Sequence, residues 1–164
     1  MRILGVDPGL NNTGYGILDF EGDNIKVIEA GVIRNNPTAP FELRLLEIAT
    51  EFQSLITQFQ PDRIAVEELY SHYGHPKTAI IMGHARGLIF VKAAEAKIPI
   101  VPYASTKVKN SLTGNGRASK QQVQHMVCST LNLSTIPEPP DVADALAVAL
   151  CHIRTIQHEQ VINL

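Results

Sequence analysis

The sequence predicts an α/β fold: a mixed five-stranded sheet, three antiparallel strands followed by parallel ones, flanked by helices. Three observations predict it. Three short apolar segments separated by turn residues open the chain, the apolar spacing then changes from a strand period to a helix period, and the remainder alternates between the two.

The first strand is read from Ile3, Leu4 and Val6 and ends on an acid, Asp7. Pro8 and Gly9 supply the fixed and the permissive backbone angles of a tight turn, and Thr13 to Leu18 resume a β-branched and aromatic pattern. The pair reads as a hairpin with Asp7 at its mouth. "IKVIEAGVIR", after the turn signal "EGDN", completes an antiparallel meander. Phe41, Leu45, Ile48, Phe52, Leu55 and Phe59 then recur at steps of four and three, an apolar stripe on a helix introduced by Pro40 that covers the sheet.

"RIAVEEL", following Pro61, is the fourth strand; a long helix runs from about Lys77 to Ala96; "IPIVPY" is the fifth strand. Helical crossovers make these late strands parallel. The long helix is apolar around much of its girth and carries Gly83 and Gly87 four apart, so it is either buried on both sides or turns one face to a partner. Ser119 and Gln122, at capping-box spacing, open a helix over "VQHMVCSTL", and Pro139 and Pro140 open the last one.

The 164 residues suit one domain spanning 1–164, without internal repeats or linker-length loops. No segment reads as a membrane span or a signal peptide. Cys128 and Cys151 match no paired zinc-ligand spacing and are too few for a disulfide framework, which fits a reducing cytoplasm. The formal net charge of −2 hides an uneven distribution. From Ala96 to Pro137 there are five cations, Lys97, Lys107, Lys109, Arg117 and Lys120, and no acid, which suggests an anionic ligand met on one face. A solvated lysine-bearing surface is the alternative.

The acids carry the chemistry. Glu67 and Glu68 follow Ile64, Ala65 and Val66 on the fourth strand, and since adjacent strand residues face opposite ways, one at most shares a face with Asp7. "PPDVADALAVAL" sets Asp141 and Asp144 at i and i+3 on one helix face. Asp141 also suits the positive end of its helix, but Asp144 falls among Ala143, Ala145, Leu146, Ala147 and Val148, where an uncompensated carboxylate is expensive. Gathered carboxylates make sense around Mg²⁺ or Mn²⁺, hard cations that prefer oxygen. Two such ions support phosphodiester hydrolysis, which suits the basic middle segment.

"GVDPGLNNTGYG", "QPDRIAVEELY", "GHARGL", "VKNSLTGNGRASKQQVQHMV" and "PPDVADALAVAL", in this order and spacing, resemble the RuvC family of Holliday-junction resolvases in the ribonuclease H-like superfamily, over essentially the full chain. The resemblance implies a ribonuclease H-like five-stranded sheet, a homodimer, and paired Mg²⁺-dependent nicks in a four-way DNA junction during recombination and repair. The family's four catalytic, metal-binding acids fall on Asp7, Glu67, Asp141 and Asp144, and an all-carboxylate set is kept where some relatives place a histidine at the position of Asp141. By the same resemblance Lys109 and Lys120, and with them Lys107 and Arg117, take DNA-contact roles, Tyr70 takes the place of an aromatic that stacks on bases at the opened junction centre, and branch-migration motors of the RuvA/RuvB type are partners. Without a basic tail after "HIRTIQHEQVINL", junction affinity leans on the middle segment and falls quickly with salt. His72 and His75, near no cysteine or third histidine, read as solvent-facing or phosphate-contacting rather than zinc ligands.

Two other readings compete. Actin-like phosphotransfer domains open with a similar Asp and Gly hairpin but need two lobes to clamp ATP, and this chain offers one. A junction-binding module without catalysis would have lost an acid, and all four are present.

Overall fold

The computed structural model describes residues 1–69 and 76–162. Tyr70, His72 and His75 lie outside the described residues. The elements run β1 (Arg2–Asp7), β2 (Asn12–Glu21), β3 (Asn24–Arg34), α1 (Phe41–Phe59), β4 (Arg63–Glu67), α2 (Pro76–Glu95), β5 (Ile100–Tyr103), α3 (Ser105–Thr113), α4 (Lys120–Leu131) and α5 (Pro140–Ile162). One sheet of order β3-β2-β1-β4-β5 holds all the strands. The meander β1–β2–β3 is antiparallel, and β1, β4 and β5 are mutually parallel, as the helical crossovers require.

Side-chain alternation divides the core between the two sheet faces. Ile3, Leu18 and Ala65 pack with α3, α4 and α5, while Leu4, Val6, Ile17, Ile64 and Val66 pack under α1 and α2. Helix α5 is buried without interruption from Ala145 to Ile153 and crosses the middle of its face over β1, β2 and β4. The glycines of the central hairpin let it come that close. A β-carbon at Gly5 would lie 2.2 Å from the Ala145 carbonyl oxygen, and one at Gly14 would lie 2.0 Å from that of Asp141. The start of α5 is thereby seated on β2 opposite the end of β1, because Gly14 is the cross-strand partner of Asp7.

The capping box at the start of α4 forms as the spacing predicts: Ser119 Oγ accepts from the Gln122 amide at 3.2 Å, and the Ser119 amide donates to Gln122 Oε1 at 2.8 Å. It fixes Lys120 as the first residue of that helix. The α1 stripe is buried at Ile48, Phe52 and Leu55 but not at its start. Phe41 is 37% exposed and meets α2 instead, its ring edge-on to His84 with centroids 5.3 Å apart. Helix α2 is not buried on both sides. Its buried residues, Ala85, Ile89 and Ala93, form a single row, while Ile80 and Val91 are exposed and Gly87 has open space beside it.

Candidate active site

Asp7 is the last residue of β1, and its face follows from alternation with Ile3 and Gly5: it points to the α5 side. Glu67 ends β4 on the same side, two residues after Ala65, and the parallel register that pairs Val6 with Val66 brings Asp7 and Glu67 side by side at the next step. Glu68 is the exposed member of the pair, on the rim of the cavity that Asp7 and Glu67 line, and is tied through its backbone amide to the Tyr103 carbonyl at 2.9 Å. Asp141 and Asp144 arrive from the first two turns of α5. Thr13, fully buried, steadies the turn beside Asp7 by donating from Oγ1 to the Gly9 carbonyl at 2.7 Å.

The electrostatics reflect this crowding. Burial, reinforced by the charges of Glu67, Asp144 and Asp141, pushes the Asp7 carboxyl from its ordinary 3.8 up to about 8, with Lys120 opposing. Glu67 is also raised, by burial first; a hydrogen bond from the Ser105 side chain works against this, and the Asp144 charge adds to it. Lys120 Nζ donates to Asp144 Oδ2 at 2.7 Å. Burial pulls the Lys120 pKa down, but that hydrogen bond and the fields of Asp144, Asp7 and Asp141 prevail and raise it.

Two cavities flank Glu67. One of about 500 Å³ is lined by Asp7, Glu67, Ser105 and Lys109, and the other, of about 220 Å³, by Glu67, Ser105, Lys109, Lys120 and Asp144. Lys109 and Lys120 are thus brought to the acids. Lys107 and Arg117 are not: the Lys107 ammonium lies over the Tyr103 ring, 4.8 Å from its centroid, and Arg117 is exposed in the α3–α4 loop. Ser105 is the residue that sequence reasoning missed; its signal is a hydroxyl two residues past the strand "IPIVPY", at a strand-to-helix junction.

Among the described residues no three His, Cys, Asp or Glu side chains are drawn together into a ready-made metal cage. The donor chemistry nonetheless fits a hard divalent cation. All four candidates are oxygen ligands, and Asp7 is held protonated up to about pH 8 largely by burial and the negative charge beside it. A cation relieves that repulsion.

A five-stranded mixed sheet of this order, with carboxylates converging from β1, β4 and the last helix, is a ribonuclease H-like fold. The family model for crossover junction endodeoxyribonuclease RuvC matches residues 3–152. The crossover junction endodeoxyribonuclease RuvC of Caldicellulosiruptor saccharolyticus is 49% identical over 154 residues, covering 93% of this chain and 92% of that one. That of Rhodopirellula baltica is 48% identical over 149 residues, covering 91% and 84%. The structure of Thermus thermophilus RuvC in complex with a Holliday junction substrate superposes with a TM-score of 0.91 at 32% identity, covering 97% of this chain and 96% of that one. The chain belongs to the RuvC family.

Proposed function

We propose that this chain is a structure-selective DNA endonuclease that resolves four-way junctions by paired, symmetric nicks, using Mg²⁺, with Mn²⁺ as a substitute, at Asp7, Glu67, Asp141 and Asp144. The observation that carries this reading is the convergence of Asp7 and Glu67, at the neighbouring ends of β1 and β4, with Asp141 and Asp144 from the start of α5, a crowding that pushes the Asp7 carboxyl up to about 8. Divalent ions, two per site, supply the Lewis-acid chemistry of phosphodiester hydrolysis when bound. The four carboxylates would hold them, with Asp7 in its ionised form. Lys120, tethered by Asp144 at 2.7 Å, and Lys109, on the wall shared by both cavities, meet the negative charge that grows on the scissile phosphate. Lys107 and Arg117 serve the DNA backbone further out, and Tyr70 stacks on opened bases.

A homodimer matches the two-fold symmetry of the junction. Its support is the face left open on α1 and α2, where Leu46 is 62% exposed and Val91 52% exposed, beside the open space at Gly87. Family resemblance alone supports branch-migration motors of the RuvA/RuvB type as partners. Two free cysteines, and the absence among the described residues of any helix long and apolar enough to cross a membrane, support action in the cytoplasm.

The deciding experiment incubates the protein with a synthetic four-way junction, a linear duplex, or ATP, each with and without Mg²⁺. Junction cleavage that needs Mg²⁺, with duplex and ATP untouched, is the expected result. ATP turnover would favour the phosphotransfer reading. Binding without cleavage by the parent protein would favour an inert module, whereas the same behaviour confined to Asp7→Asn would support the acid site.

A further inference from the structure

Glu67 is the one carboxylate common to both cavities, and its neighbours Asp7 and Asp144 repel it. Left alone, its side chain would swing toward Lys109 and Lys120 and away from Asp7. Ser105 stands on the wall between the cavities, beside Glu67 in each. Its backbone is fixed from two directions. Tyr103 is the register partner of Glu67 and accepts the Glu68 amide at 2.9 Å, so the end of β5 is tied to the end of β4. Only Ala104 then separates Tyr103 from Ser105, and the Ala104 carbonyl takes amides of the first turn of α3, from Lys107 at 2.9 Å and Val108 at 3.1 Å. Ala104 itself offers no capping side chain, so the Ser105 hydroxyl is not matched by a rival cap at this helix start.

We propose that Ser105 is a positioning residue: its hydroxyl donates to the Glu67 carboxylate and restrains it on the wall shared by the two cavities, between Asp7 on one side and Asp144 on the other, where a divalent ion would draw the acids together. Lys109, one turn on along the same face of α3, is thereby kept for the DNA phosphate instead of being drawn into an ion pair with Glu67. This inference rests on the metal-binding reading given above and adds to it a residue outside the acid set. Outer partners of metal ligands are worth about ten- to a hundredfold in affinity. A single neutral hydroxyl on one of four ligands belongs at the lower end.

The test measures Mn²⁺ binding to the DNA-free protein from the electron paramagnetic resonance signal of free Mn²⁺, for the parent, Ser105→Ala, Ser105→Thr and Glu67→Gln, with melting temperatures to verify folding. Ser105→Ala should bind Mn²⁺ about tenfold more weakly, and Ser105→Thr should return to within about twofold of the parent. On junction DNA, Ser105→Ala should lose kcat at low Mg²⁺, recover it as Mg²⁺ is raised, and keep its KM. If Glu67→Gln loses affinity while Ser105→Ala matches the parent, Ser105 plays no positioning part and the metal reading survives. If Glu67→Gln binds Mn²⁺ as the parent does, the metal reading falls and takes Ser105 with it.

Discussion

Gly14→Ala tests how the fold gathers its acids. The added β-carbon would sit 2.0 Å from the Asp141 carbonyl oxygen and 3.1 Å from the Asp141 β-carbon. Ordinary van der Waals contact needs roughly 3.5 Å, so the start of α5 must withdraw from β2 by about 1.5 Å. The obstacle is backbone, which cannot swing aside as a flexible side chain can. Overpacking costs about 1–3 kcal/mol and the upper end applies here. In a chain of this size that is a loss of roughly 6–12 °C in melting temperature. The movement also displaces Asp141 and Asp144 from Asp7, and a misplacement of about 1 Å at a reacting centre costs on the order of a hundredfold in rate. Differential scanning calorimetry and single-turnover junction cleavage read the two effects. A Gly14→Ala protein that melts within 2 °C of the parent, a margin well under the roughly 6 °C expected, and cleaves at the parental rate would refute the argument that this close approach sets the site.

Three further outcomes follow from the same geometry. Because folding raises the Asp7 pKa from 3.8 to about 8, the native state holds a proton that the unfolded chain has released, so the metal-free protein should lose stability as pH rises from about 4 to about 8 and then level off. Urea midpoints in EDTA measure it, and a slope of the opposite sign, or one unchanged in Asp7→Asn, would contradict the assignment. Lys120→Ala should slow cleavage and weaken the salt dependence of junction binding, with the logarithmic slope falling by about one; identical slopes for variant and parent would remove Lys120 from the DNA contact. Val91→Glu, on the open face of α2, should shift sedimentation equilibrium toward monomer while the melting temperature stays within a few degrees, since the residue is 52% exposed.

Much of this arrangement was legible in the chain because periodicity reports which face of an element a residue occupies. The six-residue stripe set the bounds of α1 at Phe41 and Phe59, and strand alternation restricted Asp7 to one of the two glutamates. What periodicity does not report is what lies opposite that face. Phe41 begins the stripe, but at the first turn the neighbour of α1 is His84 of α2 rather than the sheet, and Phe41 is left partly in solvent. Composition left α2 either buried on both sides or turning one face to a partner; only one row, Ala85, Ile89 and Ala93, is fully buried, while Ile80 and Val91 are exposed. The basic segment shows the same gap. Counted along the chain, Lys107 and Lys109 are equivalent, but residues two apart on a helix point to different sides, and only Lys109 turns toward Glu67. Ser105 belongs to no repeating pattern, so only the fold brings it to Glu67.

The acid cluster and the core are consequences of one packing decision. Helix α5 gains its stability from a face buried without a break from Ala145 to Ile153, and that burial requires the glycines of β1 and β2 to admit it closely. Once it is seated, the helix start has nowhere to lie except against the end of β1. Asp141 and Asp144 are therefore pressed toward Asp7 by apolar contacts several turns away, and the repulsion that results is borne largely by the core; Lys120 offsets part of it, through its hydrogen bond to Asp144 and its charge beside Asp7. It follows that neutralising Asp7 should stabilise the metal-free protein above pH 8 while abolishing its metal-dependent cleavage. Stability and activity moving in opposite directions in Asp7→Asn would distinguish a site held under electrostatic load from a set of acids that merely cap their own elements.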